Sequence, residues 1–266
     1  MQFRRRARPE KLQMSFSALR NASSETWAAV LRGEPQEVAR WLDAVARYGL
    51  VEAQTLLGQV LLEGRGLPKN AKSALQWFGI AADAGYPPAM NMVGRCHELG
   101  WGTSADWAKA AGWYRRSAEA SYDWGQYNLA NLLLRGRGLP RDPLEARAWY
   151  LRAANQGHAK SMNMLGRFVE EGWEHPAEPM TAVAWYQRAA EGGDYRGQYN
   201  LATCLLREGR INEAASWFRR AVSIATPDVL RAVAVALRDA SEAPLKEAGQ
   251  AAVARLGAAD EQAGTA

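Results

Sequence analysis

The sequence contains only two cysteines, Cys96 and Cys204, among its 266 residues. Two thiols cannot build the disulfide network of a small secreted scaffold, and they suit a reducing compartment. Long apolar runs are also missing, since no stretch approaches the roughly 18 consecutive apolar residues of a membrane-spanning helix. We therefore expect a cytoplasmic protein without a membrane span, in which both cysteines are small buried residues.

Histidine is scarce as well, and His97, His158 and His175 are far apart in the chain. The sequence has no Walker phosphate-binding loop, no Gly-x-Ser-x-Gly elbow and no His-Glu-x-x-His pair. Cys96 adjoins His97, but neighbours in a helix point about 100° apart and make poor metal ligands together. The sequence therefore predicts no catalytic residue, no metal site and no cofactor.

Positive charge is in modest excess, with a formal net charge of +5 and a pI near 9.3. Much of this excess lies in the first eight residues, where Arg4, Arg5, Arg6 and Arg8 are found. The residues from Glu10 to Arg20 are mixed polar and provide no apolar core for a signal peptide, so export is not expected. The basic tip is either a frayed end or a contact for an anionic surface or acidic partner.

Tryptophan, by contrast, recurs at a fixed interval. Five of them are 36 residues apart, and a sixth follows 32 residues later: Trp41, Trp77, Trp113, Trp149, Trp185 and Trp217. An aromatic residue or Leu follows each Trp directly. A period of about 20 to 50 residues is typical of a solenoid, in which each unit buries its apolar face against its neighbours. We predict that the tryptophans and the tyrosines that follow them form a ladder in the core.

Each full repeat is predicted to be a pair of helices. The first helices are expected to start at Ala53, Ala89, Gly125, Ser161 and Gly197, and the sixth residue of each is small: Gly58, Gly94, Ala130, Gly166 and Ala202. Because an exposed Gly inside a helix costs about 1 kcal/mol relative to Ala, these small residues indicate close helix packing. The predicted N-caps of the second helices are Asn70, Asp106 and Asp142. Their predicted C-terminal caps are Gly85, Gly157 and Gly193, with Ser121 once in place of Gly.

A longer period of 72 residues is also present. The loop Gly64–Pro68 returns as Gly136–Pro140, and Asn91–Arg95 returns as Asn163–Arg167. The duplicated unit was therefore a pair of repeats, and we expect the faces of successive repeats to alternate in chemistry.

One repeat is especially regular. It contains Gly125-Gln126-Tyr127-Asn128-Leu129-Ala130, then Gly136-Arg137-Gly138-Leu139-Pro140-Arg141-Asp142, then Ala146-Arg147-Ala148-Trp149-Tyr150-Leu151-Arg152-Ala153-Ala154. This pattern resembles the Sel-one-like repeat (SLR) family, a relative of the tetratricopeptide repeat, and it recurs in phase from about Ala53 to Ala225. The resemblance implies an all-α fold, a right-handed α-solenoid of antiparallel helix pairs that serves as an interaction platform. It implies no reaction.

These features predict five segments along the chain. They are a basic N-terminal tip with a short helix (1–22), a degenerate repeat (23–52), a solenoid of four 36-residue repeats plus one shortened tetratricopeptide-like repeat (53–228), C-terminal capping helices (229–256) and a disordered tail (257–266).

The candidate binding residues come from helix geometry. Positions 3, 7, 10 and 11 of each first helix share the face opposite its packed side, and in a tetratricopeptide-like superhelix that face lines the concave groove. The candidates are Gln59, Asn91, Arg95, Glu98, Tyr127, Asn131, Arg135, Asn163, Arg167, Glu170 and Tyr199, with Thr55 and Arg207 on the same face. Such side chains can hold an extended peptide by its backbone and acidic groups. Alternatively, Arg95 with Glu98 and Arg167 with Glu170 are self-neutralised surface pairs.

Two further tryptophans are candidates outside the ladder. Trp101 and Trp173 occupy loop positions where other repeats carry Arg65 and Arg137. Each of them either packs under its loop or is an exposed anchor for a partner, since Trp is enriched in binding hot spots. The periodic arginines Arg116, Arg152, Arg188 and Arg220 are predicted to form a solvated helix face and not a nucleic-acid site.

Together these observations predict a non-enzymatic adaptor or scaffold of bacterial type that binds a protein or peptide segment in the groove. The alternative is a regulator recruited to a membrane or cell-envelope complex through the basic N-terminus. Hydrolysis of a cell-wall fragment or β-lactam, which has been proposed for relatives, is not expected because the chain lacks a nucleophile–base pair. The sequence leaves the partner and the oligomeric state open.

Overall fold

The computed structural model describes Glu25, residues 32–172 and residues 179–264. Thirteen α-helices and no strand lie within residues 32–172 and 179–264. In chain order they are α1 (Pro35–Arg47), α2 (Val51–Glu63), α3 (Ala71–Asp83), α4 (Pro87–Leu99), α5 (Trp107–Glu119), α6 (Asp123–Arg135), α7 (Pro143–Asn155), α8 (Ala159–Glu170), α9 (Pro179–Glu191), α10 (Tyr195–Arg207), α11 (Ile211–Ile224), α12 (Pro227–Ala236) and α13 (Ala243–Gly264). The basic tip, Trp173 and His175 lie outside the described residues.

The chain divides into two compact units after Trp113. In unit 1, α2 packs against α1, α3 and α4. In unit 2, α8 packs against α7, α9 and α10, and α10 packs against α11. Contact with the next helix and with the one after it is the pattern of stacked repeats. The predicted all-α repeat fold is confirmed.

The first helices begin two residues earlier than predicted, at Val51, Pro87, Asp123, Ala159 and Tyr195. The backbone of Gly85 and Gly157 is left-handed, with φ of 89° and 92°, and the next residue is already extended and precedes the new helix. Ser121 takes the same conformation, with φ of 62°, so it replaces Gly as predicted. The connection between repeats therefore has only three residues, and the first helix starts immediately after it.

The buried aromatic residue of each second helix is the one that follows the Trp. These residues are fully buried: Phe78, Tyr114, Tyr150, Tyr186 and Phe218. The tryptophans themselves are half-buried, apart from the buried Trp149. The predicted core ladder is therefore confirmed for the tyrosines, whereas most of the tryptophans are only half-buried at its edge. The two differ because adjacent residues on a helix face different directions.

The periodic arginines cover the outer faces of the tryptophans in unit 2. The guanidinium carbon of Arg152 lies 4.4 Å from the centre of the Trp149 ring. The equivalent distances from Arg188 to Trp185 and from Arg220 to Trp217 are both 4.6 Å. Arg152, Arg188 and Arg220, which were predicted to be part of a solvated face, are therefore exposed but stacked on indole rings.

The small residues of the first helices make room for the buried rings. A Cβ atom at Gly166 would lie 2.5 Å from the ring of Tyr186, and one at Gly58 would lie 2.5 Å from the ring of Phe78. The Tyr186 ring cannot move aside easily, because it is fully buried and its hydroxyl donates a 2.7 Å hydrogen bond to Glu170. The predicted close packing is confirmed at both glycines.

The 72-residue period is visible in buried hydrogen bonds. Gln54, Gln126 and Gln198 are 72 residues apart and buried, and each donates through Nε2 to a backbone carbonyl oxygen at 3.1–3.3 Å. The acceptors are Ala46, Ala118 and Ala190. Repeats in between carry the buried residues Met90 and Met162 at the same position. Two kinds of repeat therefore alternate in their interiors.

The C-terminal helices close the core of unit 2. Leu230 and Val233 of α12 and Leu245 of α13 join the buried cluster that contains Phe218. α13 continues to Gly264 and so runs through residues that were predicted as a disordered tail. Gly257 does not end the helix, because the residues after it are mostly strong helix formers.

Most of the second helices have the predicted side-chain N-cap. Asn70, Asp106 and Asp142 each accept a hydrogen bond from the backbone N–H three residues later, at 2.8–3.0 Å.

The first helix α8 has an unexpected cap, since His158 accepts through Nδ1 from the Ser161 backbone N–H. His158 is buried, and burial lowers its pKa to about 4 despite the nearby carboxylate of Asp123. The imidazole therefore stays neutral and keeps its acceptor nitrogen.

We expect Gly166→Ala to lower the free energy of unfolding by about 1–3 kcal/mol, because the added methyl overpacks the site beside Tyr186. The matched control is Gly112→Ala in α5, where nothing lies within 4 Å of an added Cβ. This control should raise the free energy of unfolding by up to about 1 kcal/mol. Urea denaturation of both variants provides the measurement, and equal effects would contradict the packing role of Gly166.

We expect His158 to make the protein less stable as the pH falls from 6.5 towards 4. In this window the unfolded histidine takes up a proton and the folded one does not, so protonation favours the unfolded state. His158→Asn keeps a capping acceptor without titrating. The stability of the wild type relative to this variant should fall by at most about 3 kcal/mol between pH 7 and pH 4, as urea denaturation at each pH would show. A difference that is independent of pH would contradict this assignment.

Candidate functional site

The first helices of unit 2 line a cavity of about 810 Å³, which we call the unit 2 groove. Its walls come from α6, α8 and α10, the loop before α7 and one residue of α12. The lining residues are Tyr127, Asn131, Leu134, Arg135, Arg141, Lys160, Asn163, Met164, Arg167, Asp194, Arg196, Tyr199, Asn200 and Val229. Six of the predicted groove residues are among them: Tyr127, Asn131, Arg135, Asn163, Arg167 and Tyr199.

Cations dominate this lining, with five Arg or Lys side chains and one carboxylate, Asp194. Asp194 is buried and accepts a 2.8 Å hydrogen bond from the Gly197 backbone N–H, which caps α10. Burial raises the pKa of its carboxyl group. The charges of Lys160 and Arg196 act in the opposite direction, so Asp194 both caps the helix and offsets part of the positive charge of the groove.

The five cations differ in how far they are neutralised. Arg167 pairs with Glu171 at 2.8 Å, and Arg196 pairs with Asp228 at 3.0 Å. Arg135, Arg141 and Lys160 form no ion pair with a carboxylate of the described residues. The Arg141 guanidinium donates to the Leu134 carbonyl oxygen at 3.2 Å and remains charged. The groove therefore has a positive local field suited to an anionic ligand.

Two amides from successive first helices meet in the groove. Asn200 Nδ2 donates to Asn163 Oδ1 at 2.8 Å. Among the described residues, the Asn163 amino group and the Asn200 carbonyl oxygen make no further hydrogen bond. One donor and one acceptor are thus left side by side, which is what a peptide unit of a ligand needs.

Asn131, in contrast, is engaged within the protein. Its Nδ2 donates to the Tyr127 carbonyl oxygen at 3.0 Å, and its Oδ1 accepts from the Tyr150 hydroxyl at 2.9 Å. Substitution of Asn131 would leave the buried Tyr150 hydroxyl without this acceptor. Its role in the groove wall is therefore structural.

An aromatic cluster supports the α6 side of the groove. The Tyr127 ring centre lies 4.9 Å from that of His158 and 6.0 Å from that of Tyr150. Burial raises the pKa of the Tyr127 hydroxyl. Lys160 places its ammonium 4.8 Å from the centre of the Trp124 ring, which in turn packs edge-on against His158. This cluster gives Tyr127 and Lys160 defined positions on the wall.

Arg167 and Glu170, which were considered as a pair in the sequence, each bind a different partner. Arg167 pairs with Glu171, and Glu170 pairs with Arg207 of α10 at 2.9 Å. Glu170 also accepts from the Tyr186 hydroxyl, and this contact contributes to a raised Tyr186 pKa, for which burial is the main cause. Glu170 therefore links neighbouring helices at the edge of the groove.

Three of the predicted residues of unit 1 line a smaller cavity of about 330 Å³, which we call the unit 1 pocket. They are Gln59, Arg95 and Trp101. Asn91 is buried, and Glu98 is half-buried outside this lining. Trp101 packs against the core cluster around Phe78 and also lines the pocket.

Sequence reasoning missed several cations of the unit 2 groove. Lys160 and Arg196 are the second residues of α8 and α10, which were predicted to start only at Ser161 and Gly197. Arg141 belongs to a loop, where helical periodicity carries no signal. A longer predicted helix would have placed Lys160 and Arg196 on the same face as Asn163 and Tyr199.

Both cysteines lie within the described residues. Burial raises the pKa of Cys96 to about 12 and that of Cys204 to about 11, so both remain thiols. Cys96 is fully buried, as predicted, whereas Cys204 is half-buried. Among the described residues, no group of three or more His, Cys, Asp or Glu side chains could hold a metal ion. None of the described helices is long and apolar enough to cross a membrane.

A family model, the Sel1 repeat, matches residues 51–86, 87–122, 125–158, 159–194 and 196–223. Three of these matches begin at the first residue of a first helix, in α2, α4 and α8. A comparison with curated proteins gave no match.

Solved structures share the architecture. A Sel1 repeat protein from Oxalobacter formigenes is 25% identical, with a TM-score of 0.75 over 88% of this chain and 97% of that one. A protective antigen of uropathogenic Escherichia coli with an SLR fold is also 25% identical, with a TM-score of 0.66 over 90% of this chain. This chain spans about half (54%) of that antigen. An immunity protein from Pseudomonas aeruginosa, 14% identical over 77% of this chain and 80% of its own, has a TM-score of 0.55 and shares the fold.

Sel1 repeats form a non-catalytic fold that generally mediates protein–protein interactions. The matched repeats cover most of residues 51–223 and coincide with the observed helix pairs. The chain belongs to the Sel1 repeat family.

Proposed function

We propose that this protein is an adaptor that binds an acidic, extended segment of a partner protein in the unit 2 groove. The observation that carries the proposal is the charge of the lining, where five cations accompany one buried, helix-capping carboxylate. An acidic segment would gain charge-assisted hydrogen bonds from the three cations that lack a carboxylate partner.

The amide pair supplies the second element of recognition. Asn163 offers a donor and Asn200 an acceptor to the main chain of the ligand, independently of its side chains. Arg135 and Arg141 can then bind acidic side chains of the ligand. Main-chain contacts hold the segment extended, and the charges select which segment binds.

The cations of the groove would also attract the phosphates of a nucleic acid, but two features favour a peptide. The amide pair matches a peptide unit, and Arg167 and Arg196 are already neutralised by Glu171 and Asp228. The basic N-terminal tip, which underlies the alternative of recruitment to a membrane or envelope complex, lies outside the described residues. That alternative stays a prediction.

We expect the variant Arg135→Glu/Arg141→Glu to lose peptide affinity by about tenfold or more, because it reverses two groove charges without breaking an ion pair. The measurement is a selection from a displayed library of short random peptides, followed by titration of the selected peptides. The wild type should enrich Asp and Glu, and its affinity should fall as salt is raised.

The matched control is Arg147→Glu/Arg231→Glu, which changes the net charge by the same amount. Both residues are exposed and outside the groove lining, so this variant should bind like the wild type. Circular dichroism should give the same helix content for all three proteins. Equal binding by the groove variant, or preference for a single-stranded oligonucleotide over an acidic peptide of equal charge, would refute the proposal.

A further inference from the structure

The unit 1 pocket differs in chemistry from the unit 2 groove. Its inner walls are the apolar side chains of Leu62, Met92 and Trp101, from α2, α4 and the loop after α4. Its volume of about 330 Å³ is at the lower end for ligand pockets and provides space for one large side chain.

Two cations lie at the rim of this pocket. The guanidinium carbon of Arg95 lies 5.1 Å from the centre of the Trp101 ring, and Lys69 is exposed in the loop before α3. The rim also contains Glu63, but its carboxylate pairs with Arg65 at 3.6 Å. Neither Arg95 nor Lys69 pairs with a carboxylate of the described residues. The rim therefore complements a negative charge.

Backbone contacts of the loop after α4 fix the position of Trp101. The Trp101 backbone N–H donates to the Cys96 carbonyl oxygen at 2.9 Å, which ends α4. Gly102 has a φ of 73°, and its backbone touches that of Ala71, so that a Cβ atom would collide with the Ala71 carbonyl group. The indole is thus a fixed wall between the cluster around Phe78 and the pocket.

The preceding repeat has no such wall, because Arg65 occupies the equivalent loop position. Arg65 is exposed and pairs with Glu63. The pocket is therefore a local feature created by Trp101 and not a general property of the repeat.

We propose that the unit 1 pocket binds a large apolar side chain of a partner protein that stands beside a carboxylate. The side chain occupies the space between Leu62, Met92 and Trp101, and the carboxylate contacts Arg95 and Lys69. Apolar burial supplies most of the affinity, and the charge contact orients the ligand. This second recognition site is separate from the unit 2 groove and does not depend on the function proposed for it.

The full chain with ¹³C-labelled methionine methyl groups tests this proposal by NMR. Met92 reports on the unit 1 pocket, Met164 reports on the unit 2 groove, and the buried Met90 and Met162 are internal controls. N-acetylphenylalanine carries both recognition elements, its amide carries only the ring, and N-acetylglycine carries only the carboxylate. N-acetyl-aspartyl-phenylalanine amide offers a side-chain carboxylate in place of a chain-terminal one.

We expect N-acetylphenylalanine to shift the Met92 signal and to bind about tenfold more tightly than either single-element probe. Comparison with the dipeptide amide then decides whether the carboxylate is chain-terminal or belongs to a side chain. No Met92 shift with any probe, or equal shifts with the acid and the amide, would overturn the proposal.

Two variants separate the contributions of wall and rim. Trp101→Arg recreates the loop of the preceding repeat and should abolish the Met92 response while the Met90 and Met162 signals keep their positions. Arg95→Gln should reduce the affinity for N-acetylphenylalanine to that of the amide. Arg135→Gln, in the unit 2 groove, should leave the Met92 response unchanged, and a loss there would overturn the assignment.

The same spectra distinguish this inference from the function proposed for unit 2. Acidic peptides selected by the wild type should shift Met164, whatever happens at Met92. A Met92 response to N-acetylphenylalanine without a Met164 response to the selected peptides would support the unit 1 pocket and contradict the groove proposal. A Met164 response to the peptides without a Met92 response to N-acetylphenylalanine would support the groove and contradict the unit 1 pocket.

Discussion

The stack of repeats depends on one contact within the repeat. The ring that follows the tryptophan in the second helix packs against a small residue in the first helix. At Gly166 and Gly58 the distance is so short that even a methyl group would collide with the ring. This contact brings the first and second helices together, and it directs the remaining faces of the first helices outwards. The groove residues owe their positions to this constraint, because an α-helix presents opposite faces at fixed angular intervals.

Alternation between two kinds of repeat adds a second level of organisation. The buried glutamines at 72-residue spacing bind the end of the preceding helix, and methionines replace them in the repeats between. The groove-lining positions alternate as well, since Tyr127 and Tyr199 occupy the position that Asn163 holds in the repeat between them. A duplicated pair of repeats thus yields a groove with aromatic and amide positions in alternation.

The two cavities combine cations with different surroundings. In the unit 2 groove, polar amides accompany the cations, and the only lining carboxylate is buried and occupied with capping a helix. In the unit 1 pocket, two cations border apolar walls. Both arrangements favour anionic partners, but the first suits a main chain with acidic side chains and the second suits an apolar group beside a carboxylate. A repeat fold can vary its loops and helix starts in this way without altering its core.

The sequence by itself determined the architecture, because a 36-residue period, small residues at fixed positions and capping residues between helices are local signals that recur in phase. Asn70, Asp106 and Asp142 cap the helices that the sequence predicted for them. Only the tertiary structure decided that the ring after each tryptophan is more deeply buried than the tryptophan itself, since a shift of one residue along a helix turns a side chain by about 100°. It also decided which charges remain unpaired. Glu170 pairs with Arg207 of the next repeat, and Lys160 and Arg196 join the groove from first turns that lie before the predicted helix starts. Partners that are 37 residues apart, as in this ion pair and in the amide pair of Asn163 and Asn200, depend on how the repeats stack and leave no local pattern in the chain.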